Sequence, residues 1–308
     1  MKKIIITGAS GVVGSNLVKN IITNKKYELI CLFNENNINI NSCLNIKVDI
    51  TNTEEVLELW KLKPDFIIHC AALTNINFCE NNQALAYNIN VNGTKNIVEL
   101  AKKAGAKLIY ISTDAVFDGI KGNYNEEDSP NPMNIYGKTK HEGEKICMKN
   151  LVNSIIARIS VFGFSLNEHR GDKKKSFIEN IVYRLNNRKE LVGFIDAKTS
   201  MIYVKYLGDI LIKLFEKDLN GIFHIGGLQS LSKYEFMIRI AEIFGFDNSL
   251  IKKSSIESLN NNDHIRRPKD CSFDITKFIN AINFKIPDLD NMLREFKKDY
   301  FLYNNTEG

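Results

Sequence analysis

The sequence predicts an α/β fold in which helices cover both faces of a doubly wound parallel sheet. Two observations lead to this prediction. Short apolar runs, which suit strands buried on both faces, alternate with segments of helical apolar spacing through the first half of the chain. A glycine-rich turn joins the first of these strands to the first helix. Such alternation is typical of parallel strands connected by crossover helices.

Strands and helices alternate between Lys3 and Ile159. The expected strands are Lys3–Thr7, Tyr27–Phe33, Ile46–Ile50, Asp65–Cys70, Lys107–Ser112 and Ser154–Ile159. The expected helices are Gly11–Thr23, Thr51–Leu62 with Thr51 or Asn52 as cap, Gln83–Ala104 ending at Gly105, and a helix that carries Tyr136 and Lys140.

The second half of the chain is less regular. Its expected elements are a helix at Phe177–Asn186, a short strand and a helix within Ile202–Leu219, a strand at Gly221–Ile225, a helix at Ser232–Phe244 and a loop at Ser254–His264. Ser232 and Glu235 have the spacing of a capping box at the start of their helix. We therefore expect a second, smaller lobe in this half.

The composition is that of an ordinary globular protein. Of 308 residues, 44% are hydrophobic and 25% are charged. No apolar run approaches the ~20 residues that a membrane-spanning helix needs. The N-terminus lacks the long apolar region and cleavage site of a signal peptide. We therefore expect a cytoplasmic protein that does not contact membranes.

Two further features argue against other classes of ligand. The six cysteines form no Cys-x-x-Cys pair, so we expect neither a zinc site nor any other metal. The net charge is +5, and the densest basic run is Lys173–Lys175. This run falls short of the larger patch with interleaved aromatic residues that nucleic-acid binding requires. We interpret it as a solvated loop.

The glycine-rich turn predicts a dinucleotide site. Thr7–Gly14 reads Thr-Gly-x-x-Gly-x-x-Gly, which follows a predicted strand and opens a predicted helix. Glycines allow a tight turn and a close approach to a pyrophosphate, and the helix start offers free N–H groups to that anion. The residues expected to bind the cofactor here are Gly8, Ser10, Gly11, Val12, Val13 and Gly14.

Further cofactor contacts are expected at the ends of the following strands. They are Asn34, Asp49, Ile50, Cys70, Ala71, Ala72, Thr74, Asn90 and Ile111. An acidic residue at the end of the second strand would favour NAD, and a basic one NADP. Leu32–Asn34 offers neither, so the cofactor is NAD or NADP. The small residues at Cys70–Ala72 suit a backbone that lies against the cofactor, or plain helix–sheet packing.

Thr113, Tyr136 and Lys140 are the predicted catalytic residues. Tyr136 and Lys140 are four positions apart on a predicted helix and therefore share a face. A phenol has a pKa near 10, which a neighbouring ammonium lowers. Thr113, at the end of a strand, would polarise a substrate carbonyl by hydrogen bonding. These groups predict proton transfer at a carbonyl carbon beside a nicotinamide, whose ribose Lys140 would also bind.

The motifs resemble those of the extended short-chain dehydrogenases/reductases, and most closely those of the dTDP-4-dehydrorhamnose reductase family. The matching segments are Thr7–Gly14, His69–Ala72, Cys79–Glu80, Asn90–Thr94, Ser112–Gly119, Tyr124–Pro132, Tyr136–Glu144 and Arg267–Asp270. In that family the residues that match Thr113, Tyr136 and Lys140 form the catalytic triad. The resemblance implies that NAD(P)H reduces a keto group on a nucleotide-linked deoxysugar.

The resemblance also implies a Rossmann-type sheet with a smaller C-terminal substrate-binding lobe. We assign residues 1–162, with parts of 200–225, to the NAD(P)-binding domain and residues 163–308 mainly to the sugar-nucleotide lobe. The family suggests a monomer or a homodimer. Expected substrate contacts are Ser112, Asp114, Ala115, Val116 and Arg267. Arg266 and Arg267 suit a pyrophosphate grip or the closing of a surface loop equally well.

Two segments depart from the family pattern. Asp196–Met201 replaces a Gln-x-Gly-x-Pro-Thr-like segment, and Ala115 stands where the family usually has Tyr. Both lie where substrate contacts are expected, so the sugar stays open. The alternatives are an epimerase or dehydratase that retains NAD, and a non-catalytic, NADP-binding regulatory subunit like that of methionine adenosyltransferase. Ala115 breaks the acidic pair that usually follows the catalytic hydroxyl in dehydratases.

The histidines are not expected to act in catalysis. His69 and His224 lie within predicted strands and suit core packing. His141 follows Lys140 directly, so it points to a different helix face, and we expect it on the surface.

Overall fold

The computed structural model describes residues 1–23, 25–36, 40, 42–166 and 175–305, without the side chains of residues 262, 304 and 305. The strands are β1 (Lys2–Thr7), β2 (Tyr27–Phe33), β3 (Leu44–Lys47), β4 (Phe66–His69), β5 (Lys107–Thr113), β6 (Ile155–Ile159), β7 (Val161–Phe162), β8 (Leu191–Phe194), β9 (Lys198–Thr199), β10 (Ile202–Tyr203), β11 (Gly221–Ile225), β12 (Leu231–Ser232) and β13 (Ile251–Ser254). The helices are α1 (Val12–Thr23), α2 (Thr53–Glu58), α3 (Ile76–Asn81), α4 (Gln83–Tyr87), α5 (Gly93–Ala104), α6 (Ile135–Asn150), α7 (Phe177–Asn186), α8 (Leu207–Glu216), α9 (Lys233–Phe244), α10 (Ile256–Asn262), α11 (Thr276–Ile282) and α12 (Leu289–Asn305).

A parallel sheet forms the centre of the molecule. Among the described residues it has seven strands, in the order β11-β6-β5-β4-β1-β2-β3. Every neighbouring pair in it is parallel. The chain runs outward from β1 to β3 and then returns to place β4 on the other side of β1. The carboxyl ends of β1 and β4 therefore border the crevice where doubly wound sheets bind ligands.

The sheet is buried on both faces, which explains its apolar strands. Along β1, Ile4 and Ile6 pack into one hydrophobic layer and Ile5 into the other, and all three are fully buried. Leu17 of α1 covers the first face, and Ile97 of α5 covers the second. Side chains alternate across a strand, so a strand with helices on both sides must be apolar at every position. The predicted fold class is confirmed.

The C-terminal half adds small sheets and helices beside the carboxyl edge of the central sheet. β8 pairs with β13 and β7 with β10 in parallel, while β9 pairs with β12 in antiparallel orientation. Aromatic rings join these elements, since Phe162 lies 5.4 Å from Phe236 of α9 and 6.1 Å from Phe296 of α12, measured between ring centroids. This packing brings the start of α9 toward the sheet.

The predicted loop at Ser254–His264 is wrong, because α10 occupies most of it. The Asp196 carboxylate accepts hydrogen bonds from the Ile256 N–H at 2.6 Å and the Ser255 hydroxyl at 2.6 Å. The Ser255 hydroxyl in turn accepts from the Glu257 N–H at 3.1 Å. This cap draws on a carboxylate about 60 positions earlier in the chain, so the local polar sequence did not reveal it.

Other elements differ in their limits. The strand predicted at Ile46–Ile50 is β3, which ends at Lys47, and the Asp49 carboxylate instead accepts from Thr51 at 2.9 Å. The single helix predicted at Gln83–Ala104 is α4 and α5 joined by a π-helical turn at Asn88–Asn92. The helices α3, α11 and α12 were not predicted. Asn52 is the cap of α2, as one of the two expected residues.

Candidate active site

The glycine-rich turn between β1 and α1 contains glycines of two kinds. Gly8 has φ +61°, and a Cβ there would lie 2.8 Å from the Ala71 backbone. A Cβ on Gly14 would lie 2.2 Å from the Gly8 carbonyl oxygen, so both positions need glycine for packing. At Gly11 a Cβ would meet no atom of the described chain closer than 3.4 Å. The space beside Gly11, at the free N–H groups of α1, fits a pyrophosphate.

A cavity of about 510 Å³ lies over this turn. The predicted cofactor residues that line it are Gly8, Ser10, Gly11, Val12, Val13, Gly14, Asn34, Asp49, Ile50, Cys70, Ala71, Ala72 and Thr74. Glu35, just beyond β2, also lines this cavity. It was not predicted because it lies one residue past Leu32–Asn34, the segment expected to choose between NAD and NADP. The cavity extends from the glycine-rich turn past the ends of β2 and β4, which is the shape that a dinucleotide requires.

A buried hydrogen-bond chain holds the turn against β4. The Thr7 hydroxyl accepts from the Ala71 N–H at 3.0 Å and lies 2.7 Å from Nδ1 of His69. On the other side of the ring, His69 Nε2 lies 3.1 Å from the Thr94 hydroxyl. Burial, with the charge of Lys140, lowers the pKa of His69 to about 3, so the ring is neutral at physiological pH. The prediction that His69 is a core residue is confirmed.

Asn90 lies behind the cofactor cavity rather than on its wall. Its amide bonds both backbone groups of Leu73, at 2.7 Å and 3.0 Å, and donates to the Thr139 hydroxyl at 3.0 Å. The side chain is 1% exposed. Asn90 thus connects the segment after β4 with the helix that carries Lys140.

The predicted catalytic residues line a second cavity, of about 750 Å³. Thr113 ends β5, while Tyr136 and Lys140 project from the first turns of α6. Asn134 caps this helix by accepting from the Gly137 N–H at 2.9 Å. The Lys140 ammonium lies 4.0 Å from the ring centroid of Tyr110, beneath the cavity. Ile111 also lines this cavity and not the first one.

The two cavities share part of their walls. Val12, Val13, Cys70, Ala72 and Thr74 belong to both. A dinucleotide that extended along the first cavity would therefore reach the wall of the second, beside the predicted catalytic residues.

The pKa shifts of Tyr136 and Lys140 follow from burial. Burial raises the pKa of the Tyr136 phenol above its ordinary value, although a hydrogen bond with the Thr113 side chain opposes the shift. Burial lowers the pKa of Lys140 to about 8, against the nearby charges of Cys147 and Glu144. The expectation that Lys140 lowers the pKa of Tyr136 is not met, because the cost of desolvating the phenolate dominates.

A buried ion pair lies directly under this site. The Arg158 guanidinium donates to both carboxylate oxygens of Glu144, at 2.9 Å and 2.8 Å, and Ser112 donates to the same carboxylate at 2.5 Å. Burial acts to raise the pKa of Glu144, but hydrogen bonds from His141, Arg158 and Ser112 outweigh it and lower the pKa to about 2. The Ser112 hydroxyl therefore donates its hydrogen bond to this ion pair, although Ser112 also lines the cavity.

His141 and His224 belong to this buried network. His141 was expected on the surface, but its side chain is 17% exposed and its Nδ1 lies 3.3 Å from Glu144. That expectation is wrong because the buried Glu144 holds the imidazole against the helix. His224 lies 3.3 Å from Arg158 and 2.9 Å from the Tyr124 carbonyl oxygen, so its predicted place in strand packing is confirmed.

The predicted substrate residues separate into two groups. Ser112, Asp114 and Arg267 line the larger cavity. Ala115 is 9% exposed and Val116 is fully buried, and neither side chain lines it. Arg267 bonds Asp263 at 3.0 Å and the Asn77 amide oxygen at 2.6 Å, which ties the C-terminal half to α3.

Several lining residues were missed because they come from distant segments. Thr199, Met201 and Lys233 reach the larger cavity from the C-terminal half. Thr199 donates to the Asp114 carboxylate at 2.8 Å, next to the 3.1 Å bond from Thr113. Thr199 and Met201 belong to Asp196–Met201, the segment that departs from the family pattern. The departure from the pattern was therefore the sequence feature that could have pointed to these two residues.

The described ranges lack two other kinds of site. No cluster of three or more His, Cys, Asp or Glu side chains could hold a metal ion. None of the described helices is long and apolar enough to span a membrane.

The parallel sheet, the glycine-rich turn and the Thr-Tyr-Lys site define an oxidoreductase of the extended short-chain dehydrogenase/reductase class. The chain belongs to the family described as RmlD substrate binding domain, whose family model matches residues 1–301.

Relatives at about 30% identity cover most of the chain. The dTDP-4-dehydrorhamnose reductase of Aggregatibacter actinomycetemcomitans is 30% identical and spans 96% of this chain and 99% of its own. The methionine adenosyltransferase 2 subunit beta of Bos taurus is 30% identical, over 82% of this chain and 75% of its own. The crystal structure of dTDP-4-dehydrorhamnose reductase from Bacillus anthracis in complex with NADP superposes with a TM-score of 0.83 at 28% identity, covering 97% of this chain and 100% of the other.

Proposed function

We propose that this protein reduces a keto group on a nucleotide-linked deoxysugar with NADPH or NADH, as the names of its dTDP-4-dehydrorhamnose reductase relatives describe. The observation that carries the proposal is the continuity of the two cavities. Thr113, Tyr136 and Lys140 line one, the glycine-rich turn lines the other, and the two share a wall. A carbonyl compound in the larger cavity would therefore lie beside the nicotinamide end of a bound dinucleotide.

The catalytic side chains have distinct proposed roles. The bound cofactor supplies a hydride to the carbonyl carbon. Tyr136 donates a proton to the carbonyl oxygen, and its raised pKa keeps the phenol protonated at neutral pH while making it a weaker acid than a free phenol. Thr113, whose hydroxyl donates to Asp114 at 3.1 Å, would redirect that hydrogen bond to the same oxygen and so orient it. Lys140, largely protonated near neutral pH, binds the nicotinamide ribose and places a positive charge near the developing alkoxide.

The proposal extends to the rest of the chain. Residues 1–162, with parts of 200–225, would hold the cofactor, and residues 163–308 would mainly hold the sugar nucleotide. Arg267 would grip the substrate pyrophosphate, since guanidinium groups bind phosphate oxygens in pairs. The protein would act in the cytoplasm, as a monomer or a homodimer.

The test is a direct assay of the purified protein. NADH and NADPH are first titrated by fluorescence. The loss of absorbance by the reduced cofactor is then followed with dTDP-4-dehydrorhamnose and with a panel of other nucleotide-linked keto sugars. We expect cofactor binding in the micromolar range and turnover with at least one keto sugar. Cofactor binding without turnover on any of them would contradict the reductase proposal.

A second candidate function is that of a regulatory subunit. Its support is the 30% identity to the beta subunit of methionine adenosyltransferase 2 over 82% of this chain. In that case the protein would bind NADP, form a complex with a partner enzyme and show no turnover. The third possibility, an epimerase or dehydratase, would be recognised by NAD that stays bound through purification.

A further inference from the structure

Lys233 has an unusual position at the wall of the larger cavity. It is the first residue of α9, directly after the cap residue Ser232, and its side chain lines the cavity. Its ammonium lies 4.7 Å from the ring centroid of Phe177, which also lines the cavity. Lys233 thus stands in the C-terminal half and faces the catalytic residues across the cavity.

This position is not explained by the stability of α9. A cation at a helix N-terminus is disfavoured by the helix dipole, which presents its positive end there. The start of α9 already has a complete capping box, since Ser232 accepts from the Glu235 N–H at 3.1 Å and Glu235 accepts from the Ser232 N–H at 2.8 Å. Lys233 therefore contributes nothing that the helix requires.

Lys233 also lacks an anionic partner in the part of the chain that the structure describes. No carboxylate lies within ion-pair distance of its ammonium there, and burial lowers the pKa of the side chain. Asp114 is the carboxylate whose charge acts most strongly on it, but Asp114 is occupied by Thr113 and Thr199. A partly buried ammonium with no counter-ion is costly unless a ligand supplies the negative charge.

A second cation is close to Lys233. Arg267 lines the same cavity, and its positive charge helps to lower the pKa of Lys233. Asp263 balances Arg267 through its 3.0 Å ion pair, so the uncompensated charge of the pair belongs to Lys233. The negative charge of Asp114 lies toward Thr113, on the side of the predicted carbonyl.

We propose that Lys233, together with Arg267, binds the diphosphate of the nucleotide-linked substrate. This inference rests on the proposed function, and it adds Lys233, which was not predicted from the sequence. Lys233 and Arg267 would receive the phosphates, and Asp114 with Thr199 would accept hydroxyl groups of the sugar.

The test measures nucleoside diphosphate binding by calorimetry. The full chain, saturated with NADPH, is titrated with dTDP, UDP, thymidine and uridine. In Lys233→Met we expect the affinity for the better-bound diphosphate to fall by about tenfold or more, because a charge-assisted hydrogen bond to phosphate is lost. The affinities for NADPH and for the free nucleosides should stay within about twofold. A purely structural role of Lys233 would not lower the affinity for the diphosphate while leaving the affinities for the free nucleosides and NADPH unchanged.

Lys253→Met is the matched control. The Lys253 ammonium also lies over an aromatic ring, 5.1 Å from the centroid of Tyr234, but Lys253 is exposed and does not line the cavity. This variant should bind all ligands like the unmodified protein. If Lys233→Met also loses NADPH binding, two conservative variants test the role of the positive charge. We expect Lys233→Arg to keep the affinity for the nucleoside diphosphate and Lys233→Gln to lose it.

Two results would overturn the inference. Unchanged dTDP and UDP affinity in Lys233→Met, with tight binding by the unmodified protein, would remove Lys233 from the site and leave the proposed function intact. Failure of the unmodified protein to bind either diphosphate, while it still binds NADPH, would overturn both the inference and the proposed substrate class.

Discussion

The proposed cofactor cavity, over the glycine-rich turn, and the proposed substrate cavity, beside Tyr136, share part of one wall but are built in different ways. The cofactor cavity is lined by short contiguous segments at the ends of neighbouring strands, such as Gly8–Gly14 and Cys70–Thr74. The substrate cavity also has contiguous segments, such as Ile111–Asp114 and Ile159–Gly163, but it adds single side chains from segments far apart in the chain, among them Lys233 and Arg267. A dinucleotide is recognised mainly by backbone geometry, which needs consecutive residues. A sugar nucleotide is recognised by side chains, which any nearby segment can supply.

The largest expected effect is at Tyr136, in the proposed substrate cavity. Tyr136→Phe should lower kcat by about 10²- to 10⁴-fold, because the proposed proton donor is lost. NADPH affinity should change little, since the ring is retained. Both values come from steady-state kinetics and fluorescence titration with the best keto sugar found. Tyr87→Phe is the control, because Tyr87 is 41% exposed and lines neither cavity. Activity within tenfold of normal in Tyr136→Phe would rule out this donor.

The next largest effect is expected on the stability of the fold, at the buried Glu144–Arg158 ion pair. Glu144→Gln should destabilise the fold by about 3–5 kcal/mol, because Arg158 would remain buried without its counter-ion. Chemical denaturation measures this change. Glu142→Gln is the control on the same helix, since Glu142 is exposed and its ion pair with Lys145 is worth at most about 1 kcal/mol. An equal, small effect in both variants would show that the buried pair contributes little.

The same residue predicts a dependence of stability on pH. The pKa of Glu144 is about 2 in the folded protein, against 4.5 as its ordinary value. The folded-state pKa is depressed, so its stabilisation is fully present above pH 4.5 and is lost as the pH falls toward 2. The difference in unfolding free energy between the unmodified protein and Glu144→Gln should therefore shrink over this range. A constant difference would contradict the assignment.

Gly11→Ala should separate cofactor binding from folding. A Cβ at Gly11 would meet only the Gly8 carbonyl oxygen at 3.4 Å, an ordinary van der Waals contact, so the melting temperature should be nearly unchanged. The same Cβ would stand where a pyrophosphate is expected, so NADPH affinity should fall by about tenfold. Gly14→Ala provides the contrast, because its Cβ would lie 2.2 Å from the Gly8 carbonyl oxygen and should destabilise the fold itself. Normal NADPH affinity in Gly11→Ala would place the pyrophosphate elsewhere.

The smallest expected effect concerns the choice of cofactor. Glu35 lines the cofactor cavity beyond β2, where its carboxylate would repel the 2′-phosphate of NADPH and could bind the ribose hydroxyls of NADH. Glu35→Gln should shift the ratio of affinities toward NADPH by a few-fold to about tenfold. Glu28→Gln, an exposed change on the same β2 strand, is the control. An unchanged ratio of the two affinities in Glu35→Gln would contradict this role for Glu35.

The local sequence was sufficient wherever an element is held by its own residues. The capping box at Ser232 and Glu235 and the stop at Gly105 were predicted and are present. The loop prediction at Ser254–His264 failed because α10 is capped by Asp196 from another segment. His141 was misplaced although its partner Glu144 is only three residues away, because Glu144 is buried by its bonds to Arg158 of β6 and Ser112 of β5.

By itself, the sequence determined the parallel sheet, the dinucleotide turn and the Thr113, Tyr136 and Lys140 set. Apolar periodicity and glycine spacing act over a few residues, and the carboxyl ends of parallel strands must lie at one edge of the sheet. Only the tertiary structure decided what faces Tyr136 from the C-terminal half. Thr199, Lys233 and Arg267 lie far apart in the chain, and no local pattern encodes the packing that brings them to one cavity.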